Sequence, residues 1–121
     1  MSDKVFLDTN ILVYSYSISE KDKQLTARRL ITETDSHIST QVLTELTNTL
    51  TRKFKLPFEE ALKAIKECCT NNNVFVNSPE TIKGAIKIAD KYRFSFYDSL
   101  IISAALEATC KILYSEDMHH G

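Results

Sequence analysis

Val5–Phe6–Leu7–Asp8–Thr9–Asn10 is a three-residue apolar run that ends abruptly in a carboxylate. So short and apolar a run reads as a buried strand. A carboxylate closing such a strand needs a reason, because burying an unpaired charge is costly. Asp8–Thr9–Asn10 itself has the composition of a turn with side-chain-to-backbone hydrogen bonds.

Outward from this stretch, strands and helices alternate. Residues 20–34 form a polar helix carrying Ala27, Leu30 and Ile31 at helical spacing. His37–Ile38 is a second strand, after which Ser39 or Thr40 can cap a helix from Gln41 to about Phe54. Val42, Leu43, Leu46, Leu50 and Phe54 make its apolar stripe. Pro57 opens another helix, with Phe58, Ala61, Leu62, Ile65 and Cys68 on one face. Asn71–Asn72–Asn73 reads as the loop after it, and Val74–Phe75–Val76 as a third strand. Ser78–Pro79–Glu80 is a helix start, and that helix buries Ile82, Ala85, Ile86 and Ala89. A further helix from near Ser95 buries Tyr97, Leu100, Ile101, Ala104, Ala105 and Ala108, and Lys111–Tyr114 is a fourth strand. Strands separated by helices imply an α/β fold with a central parallel sheet covered by helices.

Composition removes several chemistries. The chain has 121 residues, the size of one domain, and 43% hydrophobic against 26% charged residues, as expected of a globular protein. Its two glycines, Gly84 and Gly121, leave no glycine-rich loop to cradle a phosphate. His37, His119 and His120 are too few and too poorly placed for a nucleophile–histidine system, and the terminal pair reads as a frayed tail. Cys68, Cys69 and Cys110 lack metal-site spacing and fall in apolar stretches, as buried free thiols of a reducing cytoplasm would. No apolar run approaches the roughly 18 residues of a spanning helix, and no secretory signal is present, so a cytoplasmic protein without a membrane partner is expected. Fifteen Lys/Arg against sixteen Asp/Glu give a net charge of −1. Basic character is therefore local, at Arg28–Arg29 and at Arg52–Lys53 with Lys55.

Four acids remain to be explained. Ligand sites of open parallel sheets lie at the carboxyl ends of strands, where Asp8 and Asp117 fall. At about 100° per residue, Glu45 lies on a flank of its helix beside the apolar stripe, a flank shared with Thr49 and Arg52. Asp98 lies in the first turn of its helix, where it could also complete a capping box, Ser95-x-x-Asp98. Singly, each acid has a structural explanation. Gathered at one edge they repel, and a divalent cation relieves that repulsion. An oxygen-only donor set suits Mg²⁺ or Mn²⁺, and metal-assisted phosphodiester hydrolysis is the reaction class that fits.

The segments Phe6–Asn10, Ser39–Leu46, Phe96–Ile101 and Leu113–Met118 resemble, in order and spacing, the four signature blocks of the PIN-domain family, most closely its VapC-type toxin ribonucleases. The resemblance implies a three-layer α/β/α sandwich over residues 1–121, a single PIN-like domain lacking the tail with which family chains continue. It implies a Mg²⁺- or Mn²⁺-dependent endoribonuclease with Asp8, Glu45, Asp98 and Asp117 as the metal-holding quartet. Thr9, Asn10 and Ser115 would hold carboxylates or a phosphate in place. The family's partners would be an RNA substrate, a cognate antitoxin and a second copy in a homodimer, with Arg28, Arg29, Arg52 and Lys53 as RNA contacts. The alternative is a non-catalytic PIN-fold module that binds RNA or protein. A phosphoacceptor receiver domain fits poorly: it needs an early acidic pair and a lysine after a late strand, whereas Asp3 precedes the first strand and Lys111 opens the fourth.

Overall fold

The computed structural model describes residues 3–115. In chain order the elements are β1 (Lys4–Leu7), α1 (Thr9–Ser15), α2 (Lys21–Glu33), β2 (Asp35–Ser39), α3 (Thr40–Arg52), α4 (Phe58–Asn71), β3 (Asn73–Phe75), α5 (Pro79–Tyr92), α6 (Phe96–Glu107) and β4 (Ile112–Tyr114). The strands form one parallel sheet in the order β3-β2-β1-β4. Val5, Phe6 and Leu7 point alternately to the two faces of the sheet, and all three are buried. Both faces of β1 are therefore covered, as the α/β/α architecture requires.

The strand order places a switch point. From β1 the chain builds outward through β2 and β3, then returns to lay β4 on the other side of β1. The crevice at the carboxyl end of β1 is where connections diverge, the usual ligand position in open α/β sheets.

Several expectations are corrected. Asp8–Thr9–Asn10 is not a turn: Asp8 is the N-cap of α1, its carboxylate accepting from the Thr9 N–H. This short helix is rich in β-branched residues, Thr9, Ile11 and Val13, whose low helix propensity hides it, and burial of Ile11 and Leu12 holds it. The third strand is shifted one residue, leaving Val76 outside it and exposed. Cys68 and Cys110 are buried but Cys69 is exposed. Phe54, Phe58, Leu62, Ile82, Ile86 and Tyr97 are exposed although their spacing placed them in the core.

The reason is the use of small residues at the close contacts. Helix α4 turns Ala61, Ala64 and Cys68 inward, and α5 buries Thr81 and Ala85. A Cβ on Gly84 would stand 2.7 Å from Ser103 Oγ of α6, so α5 and α6 approach too closely there for a larger side chain. Among the described residues, positive φ falls on Lys55, Arg93 and Thr109, at a cost of order 1 kcal/mol each.

Candidate active site

Asp8 leaves β1 directly into α1, and its geometry is fixed from both sides of the sheet. Its backbone N–H donates to the Tyr114 carbonyl of β4 at 3.1 Å. Asp8 Oδ1 accepts from the Thr9 N–H at 2.6 Å, and Oδ2 accepts from the Ser115 hydroxyl at 2.7 Å. The carboxylate is buried, yet both oxygens have donors, which removes most of the cost of placing it there.

Thr9 joins the second acid to the first. Its hydroxyl donates to Glu45 Oε1 at 2.5 Å while its backbone N–H serves Asp8. Glu45 is presented by α3, which starts at Ser39 because the Ser39 hydroxyl accepts from the Val42 N–H at 3.3 Å. The buried line Val42, Leu46 and Leu50 orients that helix and leaves Glu45 half-buried on its flank.

Asp98 comes from the first turn of α6. Ser95 Oγ accepts from the Asp98 N–H at 3.1 Å, but the reciprocal bond of the expected capping box is not formed. The half-buried Asp98 carboxyl is instead part of a cavity wall. That cavity, of about 200 Å³, is lined by Asp8, Thr9, Asn10, Gln41, Glu45, Thr49, Tyr97, Asp98 and Ile101. Three of the four expected acids and both Thr9 and Asn10 thus border one space at the carboxyl edge of the sheet. Asp117 lies outside the described residues, as do His119 and His120.

The acids are not packed into a cage. Among the described residues no group of three His, Cys, Asp or Glu side chains is placed to hold a metal ion. Neither Glu45 nor Asp98 forms an ion pair with a described Lys or Arg. The donor set is all oxygen and suits a hard cation. Mg²⁺ in particular keeps several waters and takes only one or two carboxylates, so spaced acids fit it.

The basic residues lie elsewhere. Arg28 Nε donates to the Ser15 carbonyl at 3.1 Å, and Arg29 pairs with Glu33 at 3.7 Å. Arg52 lines a separate groove with Thr44, Thr47, Asn48, Thr51 and Phe58, two turns beyond Glu45, rather than sharing its cavity. Lys53 Nζ stands 5.9 Å from the Phe54 ring centre. Gln41 and Tyr97 are cavity residues that the sequence reading omits. Gln41 was findable: it precedes Glu45 by four positions and so shares its helix face.

A PIN-domain family profile matches residues 5–120. The chain belongs to the PIN-domain family. Solved structures similar to this PIN domain include the toxin VapC20 of Mycobacterium tuberculosis, at TM-score 0.76 and 18% identity over 93% of this chain and 89% of that one. VapBC2 of Rickettsia felis, bound to a promoter DNA fragment, matches at 0.70 and 18%, over 94% and 88%. A toxin–antitoxin complex from Klebsiella pneumoniae matches at 0.73 and 15%, over 95% and 88%. At such identities the likeness is one of fold. No curated protein matches this PIN domain by sequence. Among its described residues no helix is long and apolar enough to cross a membrane.

Proposed function

We propose that this PIN domain is a Mg²⁺- or Mn²⁺-dependent endoribonuclease and the toxin of a toxin–antitoxin pair. The observation that carries the reading is the convergence of Asp8, Glu45 and Asp98, from three separate elements, on one small cavity at the switch point of the sheet. Among the described residues no histidine or cysteine borders that cavity, and its acidic lining is all oxygen. Asp8, Glu45 and Asp98 would hold the ion, one or two of them directly and the rest through its waters, with Asp117 as the fourth acid that the family resemblance implies. A bound ion lowers the pKa of its water and offsets charge on the scissile phosphate.

The chain's own contribution is preorganisation. Thr9 and Ser115 hold the Asp8 carboxylate through donors to both oxygens, and Thr9 also holds Glu45. These contacts keep like charges at fixed positions before substrate arrives. Support for the biological role comes from the similar structures: one is described as a sarcin–ricin loop cleaving toxin and another as a toxin–antitoxin complex. RNA as substrate, a cognate antitoxin as inhibitor, and a cytoplasmic homodimer as working form belong to the same proposal.

The test is cleavage of RNA by the purified protein. Turnover should require Mg²⁺ or Mn²⁺, stop with EDTA, and leave a 5′-phosphate and a 3′-hydroxyl. Asp8→Asn keeps the N-cap and removes the charge, so the variant should fold and lose activity. Undiminished cleavage in EDTA, or by Asp8→Asn, would overturn the assignment. Toxicity on expression, relieved by the product of an adjacent reading frame, would establish the toxin–antitoxin role.

A further inference from the structure

The helices bearing Glu45 and Asp98 share little packing of their own. Helix α3 packs against α1, α4 and β2, and α6 packs against α5 and β2. Among the described residues one hydrogen bond joins them: Gln41 Nε2 of α3 donates to the Tyr97 carbonyl of α6 at 3.2 Å. Gln41 stands one turn before Glu45, Tyr97 immediately precedes Asp98, and all four line the acidic cavity. The amide's orientation follows from its acceptor, since only the nitrogen can donate to a carbonyl. Its other end, Gln41 Oε1, is buried and has no hydrogen-bond partner among the described residues.

That arrangement does little for stability. One neutral hydrogen bond at an exposed site adds little, and it scarcely offsets burying Oε1 without a donor, a cost that an apolar side chain of the same length would not carry. It does suit alignment, because it ties the turn carrying Asp98 to the helix face carrying Glu45. We propose that Gln41 is a positioning residue that sets the separation of Glu45 and Asp98 for the divalent ion. The inference rests on the ion-dependent reading above.

Gln41→Met removes the donor, keeps the length and retains helix propensity. Three measurements on the purified protein without RNA test it: Mn²⁺ affinity by calorimetry, amide hydrogen exchange at Asp98 and Ser99, and urea unfolding. The expected result is Mn²⁺ binding weakened by about 10-fold or more, faster exchange at those two amides, and an unfolding midpoint equal to or above the parent's. Mn²⁺ affinity within about twofold of the parent's (a difference of roughly 0.4 kcal/mol) would overturn the proposal, as would lost stability with unchanged exchange. A parent protein with no saturable Mn²⁺ site would overturn the ion-dependent reading and this inference together. Binding by the parent with an unaltered variant would sink this inference alone. Gln41→Asn, one methylene too short to span the contact, gives the same test should the methionine variant not fold.

Discussion

Two cavities of similar size differ in how their polar groups are used. The one of about 270 Å³ is lined by Ser15, Tyr16, Arg28, Ile31, Thr32, Glu67, Cys68, Asn71 and Asn72, where polar groups satisfy one another. The Tyr16 hydroxyl donates to Glu67 Oε1 at 2.9 Å, Arg28 caps the Ser15 carbonyl, and Asn72 bridges the Ser36 hydroxyl and the Cys68 carbonyl. In the acidic cavity Thr9 and Ser115 donate to carboxylates, yet among the described residues Glu45 and Asp98 pair with no Lys or Arg and Gln41 Oε1 has no donor. The first arrangement closes seams between α1, α2, α4 and β2. The second holds negative charge in place without a counter-charge among the described residues.

The contrast breaks most sharply under charge removal. Asp8→Asn should lower RNA turnover by at least roughly 100-fold, while Glu67→Gln, an equal loss of charge in the other cavity, should leave it unchanged. Comparable losses from both variants would erase the distinction. Next in size is Thr9→Val, which deletes the hydroxyl bonded to Glu45 at nearly constant volume. Mn²⁺ affinity should fall about 10-fold in a calorimetric titration, the usual scale for a residue that orients a metal-holding carboxylate.

Tyr16→Phe should do the reverse, costing about 1 kcal/mol of stability in urea unfolding with turnover intact. It also has a pH signature. Burial, followed by the contacts with Cys68 and Glu67, raises the Tyr16 phenol well above its ordinary value of 10. The folded chain then keeps a proton that the unfolded chain loses near pH 10. Its contribution is present below pH 10 and lost as the pH rises beyond it, so Tyr16→Phe should flatten that alkaline decline. The smallest effect is on thiol reactivity. Burial raises the thiols of Cys68 and Cys110, so a disulfide reagent should modify Cys69 at once and the other two only on unfolding. Two thiols reacting at the faster rate would contradict the packing around α4 or β4.

Much of the site was legible because its residues announce themselves locally. Asp8 closes an apolar strand, Glu45 sits beside an unbroken apolar stripe, and Asp98 follows a Ser cap by three positions. Patterns of this kind survive translation into structure because periodicity and capping act within a few residues. The short helix α1 was not legible, since β-branched Thr9, Ile11 and Val13 favour it only once Leu12 is buried. Nor was the exposure of Phe58, Leu62 and Ile86. Hydrophobicity alone cannot say that Ala61, Ala64 and Ala85 take the core because small side chains let backbones approach.

Sequence by itself determined the class of this protein: alternating strand and helix signals, and carboxylates at strand ends and helix flanks, follow from short-range chemistry. Tertiary structure decided which carboxylates share a space. Pairing β4 beside β1 brings Ser115 to Asp8, and seating α1 against α3 brings Thr9 to Glu45. Those contacts span 107 and 36 residues of chain, a separation across which no local preference acts. Only burial of the common core closes it.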